Sequence, residues 1–200
     1  MDTLVSGDDL PATIRAILLN QNLWKLGLAA NLVVPLIAIA QLWLEYLLFR
    51  PASRQLAILF VLLNLASLSV EAVSKVFQLM ILPLAEGGLQ NVPLVGLALH
   101  GHSASFNTAL VFFGTALVVL AVLIWRSTYL PRAIAVLVMF AGMSYFVASV
   151  SQLLAPTFAE QLGIFIYAPM LIGEASLCFW FLAKGVSLPK WGVRQTQLRI

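Results

Sequence analysis

Few side chains in this chain can do chemistry, and most of those lie inside apolar runs where a polar group is expensive. Around position 70, Asn64, Ser67, Glu71, Lys75 and Gln78 recur at steps of three or four. That spacing puts them on one face of a helix. Glu71 and Lys75 form an i, i+4 pair in the favourable order, acid first. Earlier, Asn31, Ala38, Gln41 and Glu45 share a face; later, Tyr145, Ser149 and Gln152 do. Glu174 has no basic residue at helical spacing on its inward side. It is therefore either protonated or paired across to another segment. His100 and His102 are the only histidines. A His-x-His pair supplies two good metal ligands, which are too few alone. Glu71 becomes a third only if the intervening loop folds inward. No Gly-x-Ser-x-Gly, His-Glu-x-x-His or phosphate loop occurs, so no catalytic constellation is recognisable and no cofactor is expected.

The elements that must position these groups follow from hydropathy. Hydrophobic residues make up 62% of the chain and charged residues 10%, against about 25% charged in a soluble domain. A water-facing surface cannot be built from so few charges, and the mean hydropathy of +0.99 points to lipid. Five segments are long enough to span a bilayer: residues 26–49, 56–82, 105–125, 133–154 and 164–183. Proline and glycine mark the breaks, with Pro51 in the first, Pro83, Gly87, Gly88 and Pro93 in the second, Pro131 in the third and Pro156 in the fourth. Residues 9–23 read as a short amphipathic helix at the membrane surface. Asp9 caps it, Leu10, Ile14, Ile17 and Leu18 lie on one face, and Trp24 and Lys25 anchor its end. Residues 185–200 form a tail. The expected fold is an all-α integral membrane helical bundle, a single domain with the bilayer as its surroundings.

Basic residues set the orientation. Arg50 and Arg54 flank the first loop, Arg126 and Arg132 the third, and Lys184, Lys190, Arg194 and Arg199 lie at or in the tail. The second and fourth loops carry only Glu86 and Glu160 as charges. The positive-inside rule then puts the first and third loops and the C-terminus in the cytoplasm, with the N-terminus outside. Residues 1–9 are acidic and lack a basic region, so no secretory signal is expected. Counting about 1.5 Å per residue from the cytoplasmic ends places Asn31, Glu71, Asn107 and Gln152 at similar depth in the outer membrane half. Lys75, His100 and His102 lie above them, and Gln41, Asn64 and Glu174 form a deeper layer. Such convergence would make a polar cavity open to the outside.

Three functions fit. The cavity could bind or move a small solute through Glu71, Lys75, His100, His102, Asn107, Gln152, Glu174, Asn64 and Tyr145. The polar stripes could instead serve packing in a non-catalytic partner subunit. An intramembrane enzyme or metal protein could work from Glu71, His100 or His102, and Glu174. The basic residues are too scattered for a nucleic-acid interface, and Cys178, a single cysteine in an apolar run, reads as a small hydrophobe.

A set of ordered motifs adds to this. His100-Gly101 is followed by Leu110-Val111-Phe112-Phe113-Gly114, Arg126-Ser127, Tyr129-Leu130-Pro131-Arg132, Ala141-Gly142 with Tyr145, Leu171-Ile172-Gly173-Glu174 and Leu182-Ala183-Lys184-Gly185-Val186. With Arg50-Pro51 and Glu71, the chain resembles the bacterial membrane proteins grouped as the domain of unknown function 4386 family, over residues 23–186. The resemblance implies a multi-pass helical protein of the bacterial inner membrane with no established activity. It marks His100, Glu71 and Glu174 as positions of interest. Family members usually carry another hydrophobic helix upstream of residues 12–23. Its absence here implies either a five-span form or an internal start. A sixth helix would put both termini in the cytoplasm.

Overall fold

A computed structural model gives the fold of residues 9–197. It is an all-α bundle, with no strand among the described residues. The helices are α1 (Leu10–Leu19), α2 (Gln21–Phe49), α3 (Arg54–Glu86), α4 (Val92–Ser127), α5 (Arg132–Leu154), α6 (Pro156–Leu162), α7 (Tyr167–Ala183) and α8 (Leu188–Gln197). Single 3-10 turns at Leu89–Asn91 and Gly163–Ile166 complete the order. Five segments are long and apolar enough to cross a membrane: α2, α3, α4, α5 and the stretch Pro156–Ala183, which joins α6 to α7. Their outer faces carry exposed Leu36, Ile37, Trp43, Leu62, Phe140 and Leu171, as lipid-facing helices do. Arg199 lies outside the described residues, as do residues 1–8.

The prolines act differently from place to place. Pro131 and Pro156 stand at helix starts, where a missing N–H costs nothing. Pro83, expected to end a helix, lies inside α3, which runs on to Glu86. Pro93 falls in the first turn of α4, a position proline tolerates. The second loop is therefore short, and His100 and His102 stand on α4 and not on a loop.

The chain packs as two compact units. One takes the chain as far as Ile39 together with Leu68–Phe106; the other takes Ala40–Ser67 and the chain from Asn107 onward. The core of the first is Ile14 and Ile17 of α1, Trp24 and Leu28 of α2, Ile81, Leu82 and Ala85 of α3, and Val95 and Ala98 of α4. The Asp9 carboxylate caps α1, accepting from the Ala12 amide at 2.9 Å. This helix buries Ile14 and Ile17 almost completely. Its packing also covers Trp24, expected as an interfacial anchor but only 1% exposed. The indole Nε1 of Trp24 finds no acceptor among the described residues.

The second unit is built on Leu42 and Phe49, Ala57 and Phe60, the α4 stretch from Ala116 to Ile124, and Ile134, Ala135, Val138 and Ala141 of α5. Glycines let its helices touch backbone to backbone. A Cβ on Gly114 would lie 2.7 Å from the Gly142 carbonyl oxygen, and one on Gly142 would lie 2.7 Å from that of Gly114. A Cβ on Gly173 of α7 would come within 2.6 Å of the Leu137 carbonyl oxygen of α5. Close approach through small residues is how helices associate where lipid offers no hydrophobic drive. The cytoplasm-expected end of α2 is closed by side chains. The Leu48 carbonyl accepts from the Tyr129 hydroxyl at 2.7 Å and from the Trp191 indole at 3.1 Å. Both bonds serve an oxygen that the helix end leaves without an intrahelical donor.

Candidate functional site

In the first unit the ionisable residues gather on α3 and α4. Glu71 and Lys75 stand one turn apart on α3, and their carboxylate and ammonium meet at 3.1 Å. The Lys75 side chain is 9% exposed and that of Glu71 20%, so the lysine is enclosed and the carboxylate holds the open side. Lys75 also stands over the Phe106 ring of α4, 5.4 Å from its centroid. A desolvated ammonium on an aromatic face gains from the ring quadrupole. His102 stacks on the other part of this arrangement, its ring 6.2 Å from that of Phe106.

The histidine is oriented by α3. Its Nδ1 lies 3.0 Å from the Ser74 carbonyl oxygen. A carbonyl only accepts, so Nδ1 carries the proton. In the neutral ring Nε2 then holds the lone pair and is the acceptor. His100 repeats the pattern on its own helix, with Nδ1 2.8 Å from the Gly96 carbonyl oxygen, and it is exposed. Gly101 between them permits this packing: a Cβ there would lie 2.7 Å from the Phe77 ring of α3. Below the pair, the Asn31 amide of α2 donates to the Gln78 side-chain oxygen at 3.2 Å. Buried Ser74 donates to the Glu71 carbonyl at 2.8 Å. Ser74 and Phe106 are the members that sequence reasoning passed over. Their signal was present: Ser74 follows Glu71 by three residues and Phe106 follows His102 by four, which are same-face spacings.

The other predicted residues belong to the second unit, and most are satisfied locally. Asn64 is half-buried and donates to the Phe60 carbonyl of its own helix at 3.0 Å. Gln41 donates to Glu45 at 3.1 Å, again within one helix. Across helices, Tyr145 of α5 stands near Glu174 of α7. Gln41 and Asn64, expected at one depth with Glu174, bond within their own helices. Asn107 is half-buried, whereas Gln152 and Glu174 are exposed. The Phe113 ring packs edge-on against Tyr145, with centroids 5.2 Å apart, and holds the tyrosine from its other side.

No three His, Cys, Asp or Glu side chains converge as a metal-binding group among the described residues. The first unit instead brings together an ion pair, an aromatic ring and a histidine. No curated protein and no solved structure matches the chain. The model of the domain of unknown function 4386 (DUF4386) family matches residues 1–185, nearly the whole length, and the protein belongs to that family.

Proposed function

We propose that this multi-pass membrane protein binds a small polar solute at the Glu71–Lys75 cluster, from a cavity facing the outside of the bacterial inner membrane. The observation that carries the reading is that the ion pair lies within one helix. A bond between Glu71 and Lys75 docks no helix on another, so it is poor interhelical glue. Charges held in apolar spans are costly and normally serve a site. The solute class that suits the open side is a small zwitterion, whose ammonium would meet Glu71, the more exposed partner. Thermal unfolding of the purified protein in lipid nanodiscs, with a panel of free amino acids and betaines as probes, tests this. At least one probe is expected to raise the unfolding temperature of the wild type. The double variant Glu71→Leu/Lys75→Leu should fold and show no such rise. A wild type indifferent to every probe, or a double variant that responds equally, would overturn the reading.

A second reading, a partner subunit, draws on Gln41, Gln152 and Glu174, which are exposed although they stand in apolar spans. Polar side chains turned to hydrocarbon are unfavourable, and an assembly would cover them. Crosslinking in the native membrane should then yield one defined larger species that Glu174→Leu abolishes. A chain that stays monomeric there excludes it.

A further inference from the structure

The end of the second unit opposite the α5–α6 turn holds a cavity of about 380 Å³ between the α4–α5 connection and the α7–α8 connection. Its volume is within the roughly 300–1,000 Å³ usual for small-molecule sites. Lys184 and Lys190 line it together with the polar side chains of Thr128 and Ser187 and the apolar walls of Trp180 and Leu130. No carboxylate is among the lining residues. Neither lysine forms an ion pair among the described residues. A lining with two lysines, two hydroxyl residues and no carboxylate has the composition of an anion site.

The walls are fixed. Trp180 donates from Nε1 to the Gly185 carbonyl at 2.9 Å, and the Ser187 amide donates to the Tyr129 carbonyl at 3.3 Å. Thr128 and Gly185, one on each connection, both have φ of 64°. Glycine takes that left-handed conformation freely and ends α7 in it. Threonine does not, so its backbone is held there by the fold at some cost. Lys184 also marks a level along the chain: α7 ends at Ala183, just before it, and Leu182 and Leu188 to either side of it in sequence are exposed. Tryptophans with lysines next to an apolar girdle mark the headgroup region of a bilayer.

We infer that this cavity binds a phosphate ester, with Lys184 and Lys190 as the charge partners and Thr128 and Ser187 as hydroxyl donors. Its amphipathic walls and level suit the headgroup of an anionic phospholipid; a soluble phosphate is the other source of the same chemistry. The full chain, purified in neutral detergent, is titrated with short-chain phosphatidylglycerol, with phosphatidylcholine of equal chain length and with inorganic phosphate, and bound lipid is counted by native mass spectrometry. The anionic lipid is expected to bind more tightly than the zwitterionic one. The Lys184→Gln/Lys190→Gln variant should lose about thirtyfold in that affinity, the equivalent of roughly 1 kcal/mol for each lysine. Lys184→Arg/Lys190→Arg should retain it, and Lys25→Gln, outside the cavity, should leave it unchanged. Displacement of the lipid by millimolar inorganic phosphate assigns the site to a soluble phosphate, and failure of phosphate to compete assigns it to the lipid headgroup. Equal binding of the two lipids by the wild type, with no binding of phosphate, overturns the inference even if the glutamine variant fails to fold. So does a folded glutamine variant that keeps the preference.

Discussion

Lys75 is enclosed by Glu71 and the Phe106 ring, so removing the carboxylate leaves an ammonium with an aromatic face and no counter-charge. Breaking a buried pair in this way costs about 3–5 kcal/mol, whereas replacing both partners with apolar residues is often neutral. Glu71→Ala and Lys75→Ala should therefore each lower stability more than Glu71→Leu/Lys75→Leu does. Glu71 keeps some exposure, which puts Lys75→Ala, the variant that strands only the more accessible charge, at the lower end. Unfolding in mild detergent measures all three, and additive losses would mean that the two residues are not coupled. Tyr145→Phe provides a contrast. It deletes a hydroxyl that stands near Glu174 and can lend it at most one neutral hydrogen bond. Such bonds average about 0.6 kcal/mol in double-mutant cycles, so the loss should be several-fold smaller than for either member of the ion pair. The difference in legibility between these pairs has a physical cause. Glu71 and Lys75 are bound by helix geometry alone, which spacing reveals. Asn31 meets Gln78 across 47 positions of sequence, and only the fold chooses that partner among the amides that periodicity puts on inward faces.

At the scale of helices, the glycine-bearing motifs are packing devices before they are chemistry. Gly114, Gly142 and Gly173 stand in the Phe-Phe-Gly, Ala-Gly and Ile-Gly-Glu pieces, and each faces the backbone of a neighbouring helix with no room for a Cβ. Gly142→Ala must push α4 and α5 apart, and overpacking of this kind costs typically about 1–3 kcal/mol. Gly192→Ala, in α8 with open space around it, should cost nothing measurable, and comparing the two unfolding temperatures checks the point. The capped end of α2 gives another test. Tyr129→Phe leaves the Leu48 carbonyl one of its two donors, and so does Trp191→Phe. Each single change should cost little, because the remaining bond satisfies the oxygen. The double change strands it and should cost more than the sum, toward the roughly 1–3 kcal/mol of an unsatisfied buried group. The spans were legible because 20 apolar residues in a row have few other uses. The environment of a single aromatic residue was not: Trp24 at the end of an amphipathic stretch reads as an anchor, and only the packing of α1 over it makes it core. Similarly, Pro83 and Pro93 carry the usual mark of a loop. The sequence does not decide whether such a proline stops its helix: Pro83 and Pro93 fall within about a turn of a helix end, and Pro35 stands midway along α2 without ending it.

At the scale of the whole chain, the question that bears on every site is which side each connection faces. Five spanning segments alternate, so fixing one connection fixes them all. The α2–α3 connection is flanked by Arg50 and Arg54, the α4–α5 connection by Arg126 and Arg132, and the chain after α7 begins with Lys184 and goes on to Lys190 and Arg194. On the other side the charges are Glu86, the last residue of α3, and Glu160, within α6. The side with the basic residues also has Arg132 seated 5.2 Å from the Trp125 ring, an arrangement that keeps a guanidinium at the level of an aromatic belt. By the positive-inside rule, the expected orientation has Pro51, Thr128 and Lys190 inside and Gly87 and Glu160 outside. In a bacterial host, alkaline phosphatase fused after Gly87 or Glu160 should be active, and the same enzyme fused after Pro51, Thr128 or Lys190 should be inactive while a fluorescent protein at those three sites folds and emits. The reversed pattern would turn the Glu71–Lys75 cluster toward the cytoplasm and the Lys184–Lys190 cavity away from it. It would contradict the orientation without touching either pairing, because both rest on contacts within their own unit. A mixed pattern at a single position would mean that five crossings is the wrong count. The stretch Pro156–Ala183 would be the segment to re-examine, because it is interrupted at Gly163 and carries Glu174 within it. Fusions after Gly163 and after Ala183 on the same chain separate those cases, since only a segment that crosses places its two ends on opposite sides.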